Sequence, residues 1–245
     1  MSQIIAERYR KVVVKVKCKD LKIKGSGFFI DNNIILTNNH VVSIPITDNK
    51  GVISLFYSRD IYVEIDGLDY PATLLINEES DKPFVYDYAI LKVISPNTMK
   101  IELGDYSKVS QGEKVLALGF PSNFDSPIVT SGIISAILSR QSHRNALHVM
   151  QTFLTDTLIS YGSSGGPLIR ESDGKVIGIA TMPHKISGEL KDKLEKYSIS
   201  DSNEVTSPIR DLIKYVLHFV QVGYNYAISI KYALSDEALA YRGDK

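Results

Sequence analysis

The chain has 245 residues, with 28 basic and 28 acidic side chains and a formal net charge of zero at pH 7. A hydrophobic content of 44% and a charged content of 23% are typical of a globular protein rather than a disordered one. The length suits one large all-β unit or two domains of roughly 100 to 150 residues. Zero net charge argues against nucleic acid or an anionic membrane as a partner, because both attract concentrated positive charge.

Short β-type runs dominate the first three quarters of the chain. Turn signals such as Asp66-Gly67 and Asp173-Gly174 separate them. Many short strands without helices between them predict a sandwich or barrel rather than an α/β sheet. We place the seam between two halves in the polar segment 104–112. The predicted strands cover residues 12–16, 27–30, 34–37, 52–57, 61–65, 72–76, 88–93, 114–118, 128–134, 147–153 and 175–181.

The last quarter of the chain is predicted to be largely helical. Residues 188–197 are charged and indicate a short exposed helix. Apolar residues at helical spacing over 209–220 indicate a second helix, packed against the β-structure. Residues 224–230 return to strand character, and residues 235–241 are predicted to form a last helix.

The segment 155–168, TDTLISYGSSGGPL, contains the strongest chemical signal. Three glycines and two serines in residues 162–166 predict a tight turn of small side chains. Such a turn lets a serine hydroxyl stand clear while backbone N–H groups point together at one spot. Composition alone favours a flexible loop, so a nucleophilic serine also requires a base and an acid that orients the base.

His40 and Asp87 are the candidates for those two roles. His40 closely follows the predicted strand 34–37. The other four histidines, predicted to lie in loops or on element surfaces, are His143, His148, His184 and His218. Asp87 opens the apolar run 87–93, where a carboxylate is costly unless a charged or hydrogen-bonding group faces it. Taken alone, Asp87 is more simply interpreted as a turn residue at a strand edge.

Residues 162–166 also satisfy G-x-S-x-G, the nucleophile elbow of α/β-hydrolases. That fold requires a helix directly after the serine, with the acid and then the histidine downstream. Here Pro167 and a β-type run follow, and no alternating strand–helix pattern lies upstream. The α/β-hydrolase interpretation is therefore rejected.

With His40, Asp87 and Ser164 in this order, the sequence resembles serine proteases of the trypsin/chymotrypsin fold, and most of all their HtrA/Deg-type branch. The resemblance covers about residues 10–182 in seven ordered blocks. The blocks are GSGFFI (25–30), TNNHVV (37–42), DYAILKV (87–93), LGFP (118–121), VTSGIISA (129–136), TDTLISYGSSGGPL (155–168) and VIGIAT (176–181). It implies an all-β fold of two packed six-stranded antiparallel β-barrels, with a helical insertion near the C-terminus.

The resemblance assigns a role to each matched position. It makes Ser164 the nucleophile, His40 the general base and acid, and Asp87 the carboxylate that orients the imidazole. The backbone N–H groups of Gly162 and Ser164 match the oxyanion hole. Thr181 matches a hydroxyl residue that faces the triad acid.

The expected N-terminal barrel, with the histidine and the aspartate, spans residues 1–108, and the C-terminal barrel, with the serine, spans 109–245. Residues 223–230, GYNYAISI, resemble a strand that in this family follows closely behind the VIGIAT-type strand, but here they come about 40 residues later. We therefore expect an inserted helical segment at 183–222, beside the substrate pocket, and a short C-terminal helix. The rival alignment places residues 207–209 in that strand. Neither alignment leaves room for a PDZ domain.

The primary specificity pocket matches uncharged positions. Ser163 stands where trypsin-type zymogens have an aspartate, so activation by propeptide cleavage is not expected. The absence of a carboxylate predicts cleavage after apolar residues, above all small aliphatic ones, rather than after Lys or Arg. The predicted pocket residues are Leu158, Ile159, Ile179, Ala180, Thr181 and Tyr226.

The resemblance implies a serine endopeptidase that works through an acyl-enzyme, in protein quality control or regulated proteolysis. Its expected partner is a polypeptide substrate; no metal, nucleotide, nucleic acid or membrane is expected to take part. The alternative is a protease-fold module that binds unfolded peptide without turnover, and an intact triad argues against it. A further alternative is a latent protease gated by residues 183–222, a segment that is also the expected contact for a homo-oligomer or a regulatory partner.

The single cysteine bears on location. Cys18 excludes an intramolecular disulfide and is expected to be a small buried hydrophobe in the first strand. The first 20 residues lack the apolar core of a secretory signal, and no stretch approaches 18 uninterrupted apolar residues. We therefore expect a reducing compartment, the cytoplasm.

Overall fold

The computed structural model describes seven stretches of the chain, and only these are considered below. They are residues 2–49, 53–75, 85–95, 99–122, 124–141, 149–181 and 225–234. Within them, fourteen β-strands form two closed six-stranded antiparallel barrels and a separate two-stranded sheet. The predicted fold class of two six-stranded barrels is confirmed. The helices predicted within 188–220 and 235–241, and with them the inserted segment, lie outside the described residues.

The elements are numbered in chain order. The strands are β1 Val13–Cys18, β2 Ile23–Asp31, β3 Ile34–Thr37, β4 Ser43–Thr47, β5 Ile53–Tyr57, β6 Ile61–Ile65, β7 Leu68–Leu75, β8 Ala89–Val93, β9 Lys114–Gly119, β10 Ile128–Gln141, β11 Val149–Thr155, β12 Pro167–Arg170, β13 Val176–Thr181 and β14 Asn225–Ser229. The helices are α1 Ser2–Tyr9, α2 Asn39–Val42, a 3-10 turn Tyr106–Lys108, and α3 Lys231–Leu234.

The first barrel has the strand order β1-β2-β3-β8-β7-β6. Its first strand shows why these residues form a one-sided sheet. Val14 and Val16 are buried, whereas Lys15 between them lies on the opposite face, as alternation along a strand requires. Phe28 and Leu91 are fully buried and contribute to the apolar core. A packed barrel of this kind supplies a rigid base for the loops that follow its strands.

A hairpin of β4 and β5 stands apart from the barrel and directly follows α2. The sequence does not predict β4, because Pro45 in its middle lacks the N–H donor of a regular strand. In a two-stranded sheet each strand has an edge outside the ladder, and there a missing donor costs little. Pro45 is therefore compatible with the strand that the structure contains.

The second barrel has the order β10-β11-β14-β13-β12-β9. β14 closes it: Ala227 lies opposite Phe153 of β11 on one side and opposite Ala180 of β13 on the other. The strand predicted at 224–230 is thus part of this barrel, whereas the rival strand at 207–209 lies outside the described residues. The domain limits at 108 and 109 stay a prediction.

Contacts between distant parts of the chain join the two barrels. Tyr232 of α3 stacks on Tyr86, just before β8, with ring centroids 3.9 Å apart and 12° between the ring planes. Helix α1, which the sequence does not predict, buries Tyr9 and donates a hydrogen bond from the Ser2 hydroxyl to Glu171 beyond β12. Both termini of the described chain therefore help to fix one barrel against the other.

Candidate active site

His40 and Asp87 are bound to each other through both oxygens of the carboxylate. Oδ2 of Asp87 lies 2.8 Å from Nδ1 of His40, and Oδ1 accepts the backbone N–H of His40 at 3.0 Å. The two side chains are 17% and 16% exposed. Because a carboxylate only accepts hydrogen bonds, Nδ1 carries the proton of the neutral imidazole, and Nε2 is the nitrogen that can take up another.

The backbone around Asp87 is held in an uncommon conformation. Its φ of +52° lies in the left-handed region, which Asp and Asn enter more readily than other side chains. The fully buried Asn38 donates its side-chain N–H to the carbonyl of Asp87 at 2.8 Å. Asn38 lies two residues before His40, so one short segment contacts both the main chain and the carboxylate of Asp87. The sequence alone does not single out Asn38.

Ser164 lies in a compact turn whose shape depends on glycine. The N–H of Ser163 donates to the carbonyl of Ser160 at 2.9 Å, and Gly162 in third position has a φ of +94°, as a type II turn requires. Next to Ser164, Gly165 has a φ of +91° and donates to Ala180 of β13 at 2.9 Å. Ser164 itself is 7% exposed.

The peptide between Tyr161 and Gly162 has a defined direction. The carbonyl of Tyr161 accepts the N–H of Ser122 at 2.9 Å. In a trans peptide the N–H points opposite to the C=O, so the N–H of Gly162 is directed away from Ser122. A Cβ at Gly162 would lie only 2.6 Å from the carbonyl oxygen of Phe120. Only glycine fits this position.

The serine turn is docked on the first barrel. The N–H of Ser26, in β2, donates to the carbonyl of Ser164 at 2.8 Å. A Cβ at Gly165 would lie 2.0 Å from the carbonyl oxygen of Ser26 and 2.4 Å from the hydroxyl of Thr37. Thr37 ends β3, three residues before His40. The fold thus brings the serine turn against the strand that leads to His40.

Beside the turn lies an apolar cavity of about 170 Å³. The described residues that line it carry no charge. They are Ala117, Leu118, Gly119, Pro121, Phe124, Ile128, Thr130, Leu158, Ile159, Ser160, Ser163 and Ala180. Of the six predicted pocket residues, Leu158, Ile159 and Ala180 line this cavity, and the LGFP block at 118–121 contributes a wall that the sequence does not assign.

Of the other three predicted pocket residues, Ile179 and Thr181 lie beside Ala180 on β13, and Tyr226 lies on β14. Ile179 is 1% exposed and packs into the hydrophobic core. Thr181 ends β13, where it is buried and pairs with Tyr226 of β14. These three do not line the cavity.

Two six-stranded antiparallel barrels, one with a histidine–aspartate pair and the other with a serine in a glycine-rich turn, are the arrangement of the chymotrypsin-fold serine proteases. The family described as "Trypsin-like peptidase domain" matches residues 25–179. That match covers more than half of the chain, and the chain belongs to this family.

Similar proteins with curated names are HtrA and DegP proteases. A "Probable periplasmic serine endoprotease DegP-like" from Pseudomonas putida (strain W619) is 35% identical over 165 residues, 67% of this chain and 30% of that protein. A "Serine protease HTRA2, mitochondrial" from Drosophila grimshawi is 36% identical over 160 residues, 64% of this chain and 34% of that protein. The chain thus spans about a third of the length of these relatives.

Solved structures give the same result. "HtrA-type protease AlgW with tripeptide" aligns with a TM-score of 0.65 and 26% identity, covering 96% of this chain and 61% of that chain. The Rv3671c protease of M. tuberculosis, in its inactive form, aligns with a TM-score of 0.65 over 97% of this chain and 93% of that chain. At 17% identity the second match supports the fold alone. The described residues contain no helix with the length and apolar character needed to span a membrane.

Proposed function

We propose that this chain is a serine endopeptidase with Ser164 as nucleophile, His40 as general base and Asp87 as the residue that orients the base. The observation that carries the proposal is the pair of hydrogen bonds, 2.8 and 3.0 Å, that Asp87 accepts from Nδ1 and the backbone N–H of His40. Together they restrain both the tautomer and the rotation of the imidazole. A base held in this way is suited to take a proton from a serine hydroxyl.

In the proposed reaction, Ser164 Oγ attacks the carbonyl carbon of the scissile peptide while His40 Nε2 takes the hydroxyl proton. The carbonyl electron pair moves onto oxygen, which gives a tetrahedral oxyanion. His40 then donates the proton to the amine nitrogen, the C–N bond breaks, and an acyl-enzyme remains. Water attacks this ester in the same way, releases the acid product and restores the proton to Ser164.

The oxyanion is proposed to bind the backbone N–H groups of Gly162 and Ser164. The turn conformation supports this assignment, because the carbonyl of Tyr161 is bound on the Ser122 side and the N–H of Gly162 points the other way. Donors fixed before the reaction need no rearrangement when charge develops, and each contributes about 3 kcal/mol to transition-state stabilisation. The hydroxyl of Thr181 is proposed to support Asp87, on the family resemblance alone.

The apolar cavity is proposed to bind the side chain on the acyl side of the scissile bond. Its position beside Ser163 and its uncharged lining favour an aliphatic residue there. Burying each methylene group contributes about 0.8 kcal/mol, whereas a buried Lys or Arg would find no carboxylate partner among the described lining residues. A peptide-library scan is expected to select small aliphatic residues. Selection of Lys or Arg would overturn this specificity.

The proposed substrates are polypeptides, in protein quality control or regulated proteolysis. The relatives are named as periplasmic and mitochondrial proteins, so a cytoplasmic location stays a prediction of the sequence. A homo-oligomer or a regulatory partner bound through residues 183–222 also stays a proposal, because that segment lies outside the described residues. Light scattering after size-exclusion chromatography measures the oligomeric state.

The catalytic assignment is tested by intact-mass labelling with a fluorophosphonate, which reacts with an activated serine. The wild type is expected to take up one equivalent, whereas Ser164→Ala and His40→Ala take up none. Ser131→Ala, which removes an exposed serine of β10, is the matched control and is expected to label like the wild type.

A folded wild type that does not label would contradict an active protease. If such a protein retained affinity for unfolded peptides, the result would favour the peptide-binding alternative. Labelling that persists in Ser164→Ala would contradict the assignment of the nucleophile.

A further inference from the structure

Ser26 is fully buried at the junction of the two barrels, and all of its polar groups are engaged. Its hydroxyl donates to the carbonyl of Gly162 at 2.8 Å and accepts the N–H of Phe120 at 2.8 Å. Its N–H donates to the carbonyl of Ser164 at 2.8 Å, and its carbonyl accepts the Thr37 hydroxyl at 2.7 Å. One residue of the first barrel thus makes three hydrogen bonds to the second.

The two glycines beside Ser26 have no room for a side chain. A Cβ at Gly25 would lie 2.6 Å from Val41, and a Cβ at Gly27 would lie 2.8 Å from Ile35. Contacts this short exclude side chains at both positions, so β2 packs closely against its neighbours. Ser26 carries the one side chain of the three.

The two groups that the Ser26 hydroxyl binds are Gly162 itself and the first residue of the segment that holds Tyr161. Gly162 is bound directly, through its own carbonyl. Phe120 begins the short segment in which the N–H of Ser122 holds the carbonyl of Tyr161 at 2.9 Å. Ser26 therefore restrains both carbonyls that flank the N–H of Gly162, one directly and one through residues 120–122.

We propose that Ser26 is a positioning residue that keeps the N–H groups of Gly162 and Ser164 aimed at the oxyanion, an inference that rests on the proposed function. Ser26 transfers no proton; it acts by holding the donors in place before charge develops on the carbonyl oxygen. Its loss lowers the rate of the chemical step and leaves substrate affinity nearly unchanged.

The test compares Ser26→Ala with Thr37→Val in the full chain. Both variants remove a buried hydroxyl from the hydrogen bonds around Ser26, but Thr37→Val leaves the bonds to Gly162 and Phe120 intact. The measurements are kcat and KM on a peptide substrate with an apolar acyl-side residue, and Ki for the matching peptide aldehyde, whose hemiacetal occupies the oxyanion site. A melting curve establishes that each variant is folded.

For Ser26→Ala we expect kcat to fall about 10- to 100-fold and the aldehyde Ki to rise by a similar factor, with KM within about threefold of the wild type. Thr37→Val is expected to keep kcat within about threefold. An equal loss of kcat in both variants, or a kcat within threefold of the wild type in Ser26→Ala, overturns the inference. If Ser26→Ala does not fold, Ser26→Cys is measured instead: a thiol donates and accepts hydrogen bonds only weakly, so kcat is expected to fall, and a kcat within about threefold of the wild type overturns the inference.

Hydrogen exchange gives a readout that does not depend on turnover. In Ser26→Ala, amides of residues 160–164 are expected to exchange at least about tenfold faster than in Thr37→Val. Equal exchange in the two variants overturns the inference. A wild type without turnover or labelling contradicts the proposed function, and in that case the exchange rates alone decide whether Ser26 holds the turn.

Discussion

The two halves of the site are built from different parts of the polypeptide. On the first barrel, the site is held together by side chains: the carboxylate of Asp87 binds His40, and the amide of Asn38 binds the main chain of Asp87. On the second barrel, the site is formed by main-chain groups of a turn in which Gly162 and Gly165 have positive φ angles. The first half therefore depends on which functional group is present, and the second on whether a Cβ is present.

Close packing explains the second dependence. A Cβ at Gly165 would lie 2.0 Å from the carbonyl oxygen of Ser26 in the first barrel, and one at Gly166 would lie 2.0 Å from that of Leu118 in the second. Backbone cannot move aside as the end of a flexible side chain can. The serine turn is thus wedged between the two barrels, while the His40–Asp87 pair lies on one of them.

The largest expected effect comes from changing the functional group in the first half. In Asp87→Asn, an amide NH₂ replaces one of the two oxygens that accept hydrogen bonds from His40. We expect kcat to fall about 10,000-fold with the fold intact, because the favoured tautomer of the histidine is lost. The measurement is kcat on a peptide substrate, with circular dichroism as the folding check. Asp105→Asn, an exposed aspartate outside the site, is the control, and more than a tenth of wild-type kcat in Asp87→Asn would contradict the pairing.

Adding a single methyl group at Gly162 is expected to disrupt the serine turn on the second barrel. In Gly162→Ala, the Cβ meets the carbonyl of Phe120 and the residue must keep a φ of +94°. We expect kcat to fall about 100- to 1,000-fold as the turn changes conformation and the proposed oxyanion donor is lost.

Gly112→Ala separates backbone strain from the steric clash. Gly112 has a φ of +85°, but nothing lies within 4 Å of its added Cβ. Kinetic assays and thermal melts of both variants are compared, and a similar loss of kcat in both would show that general strain, not the turn, is responsible.

A substitution in the apolar cavity is expected to change substrate specificity rather than the rate of the chemical step. Ala180→Val adds two methyl groups at the wall of the 170 Å³ cavity. We expect the ratio of kcat/KM for a leucine substrate to that for an alanine substrate to fall about tenfold, since the larger side chain loses its room. Parallel assays of the two peptides provide an internal control. An unchanged ratio would mean that the cavity does not bind this residue of the substrate.

The smallest expected effect is a pH dependence of stability that arises from the buried Cys18, next to Val41. Cys18 of β1 donates its thiol to the carbonyl of Val41 at 3.3 Å, and burial raises the pKa of this thiol from 9.0 to about 11. Between these values the unfolded thiol loses its proton while the folded one keeps it. The free energy of unfolding is therefore expected to fall as pH rises, by up to roughly 1 kcal/mol per pH unit above 9.

Urea denaturation at pH 8, 9 and 10 measures this change, with Cys18→Ala as the variant that has no thiol to ionise. The difference between the two slopes isolates the contribution of Cys18 from those of other groups. Identical slopes would contradict the raised pKa.

Local patterns made much of the fold predictable. Strand alternation is a property of neighbouring residues, so the predicted strand 147–153 lies within two residues of β11 at each end. The end of β10 is less predictable from the sequence. The strand continues past the predicted end at 134 as far as Gln141, with a register shift between Ile134 and Ala136. A bulge of that kind depends on the partner strand, which local sequence does not contain.

The site likewise has a part that the local sequence predicts and a part that depends on distant residues. Residue types and their order point to His40, Asp87 and Ser164, and the structure places the first two in contact. Ser26 lies in the GSGFFI block, yet its hydroxyl binds a carbonyl 136 positions away, and no local pattern reports such a contact. The pocket illustrates the limit too, since Ile179 and Ala180 are neighbours on one strand and alternation sends them to opposite faces.

Tyr232, which stacks on Tyr86, is synthesised long after the residues of the candidate site. A ribosome adds Ser164 sixty-eight positions before Tyr232, and β14, which closes the second barrel, is also made only after Ser164. At 5 to 20 residues per second, the growing chain carries His40, Asp87 and Ser164 for about 3 to 14 seconds before the elements that complete their support exist. We therefore expect the proposed proteolytic activity to begin only after translation has passed these elements.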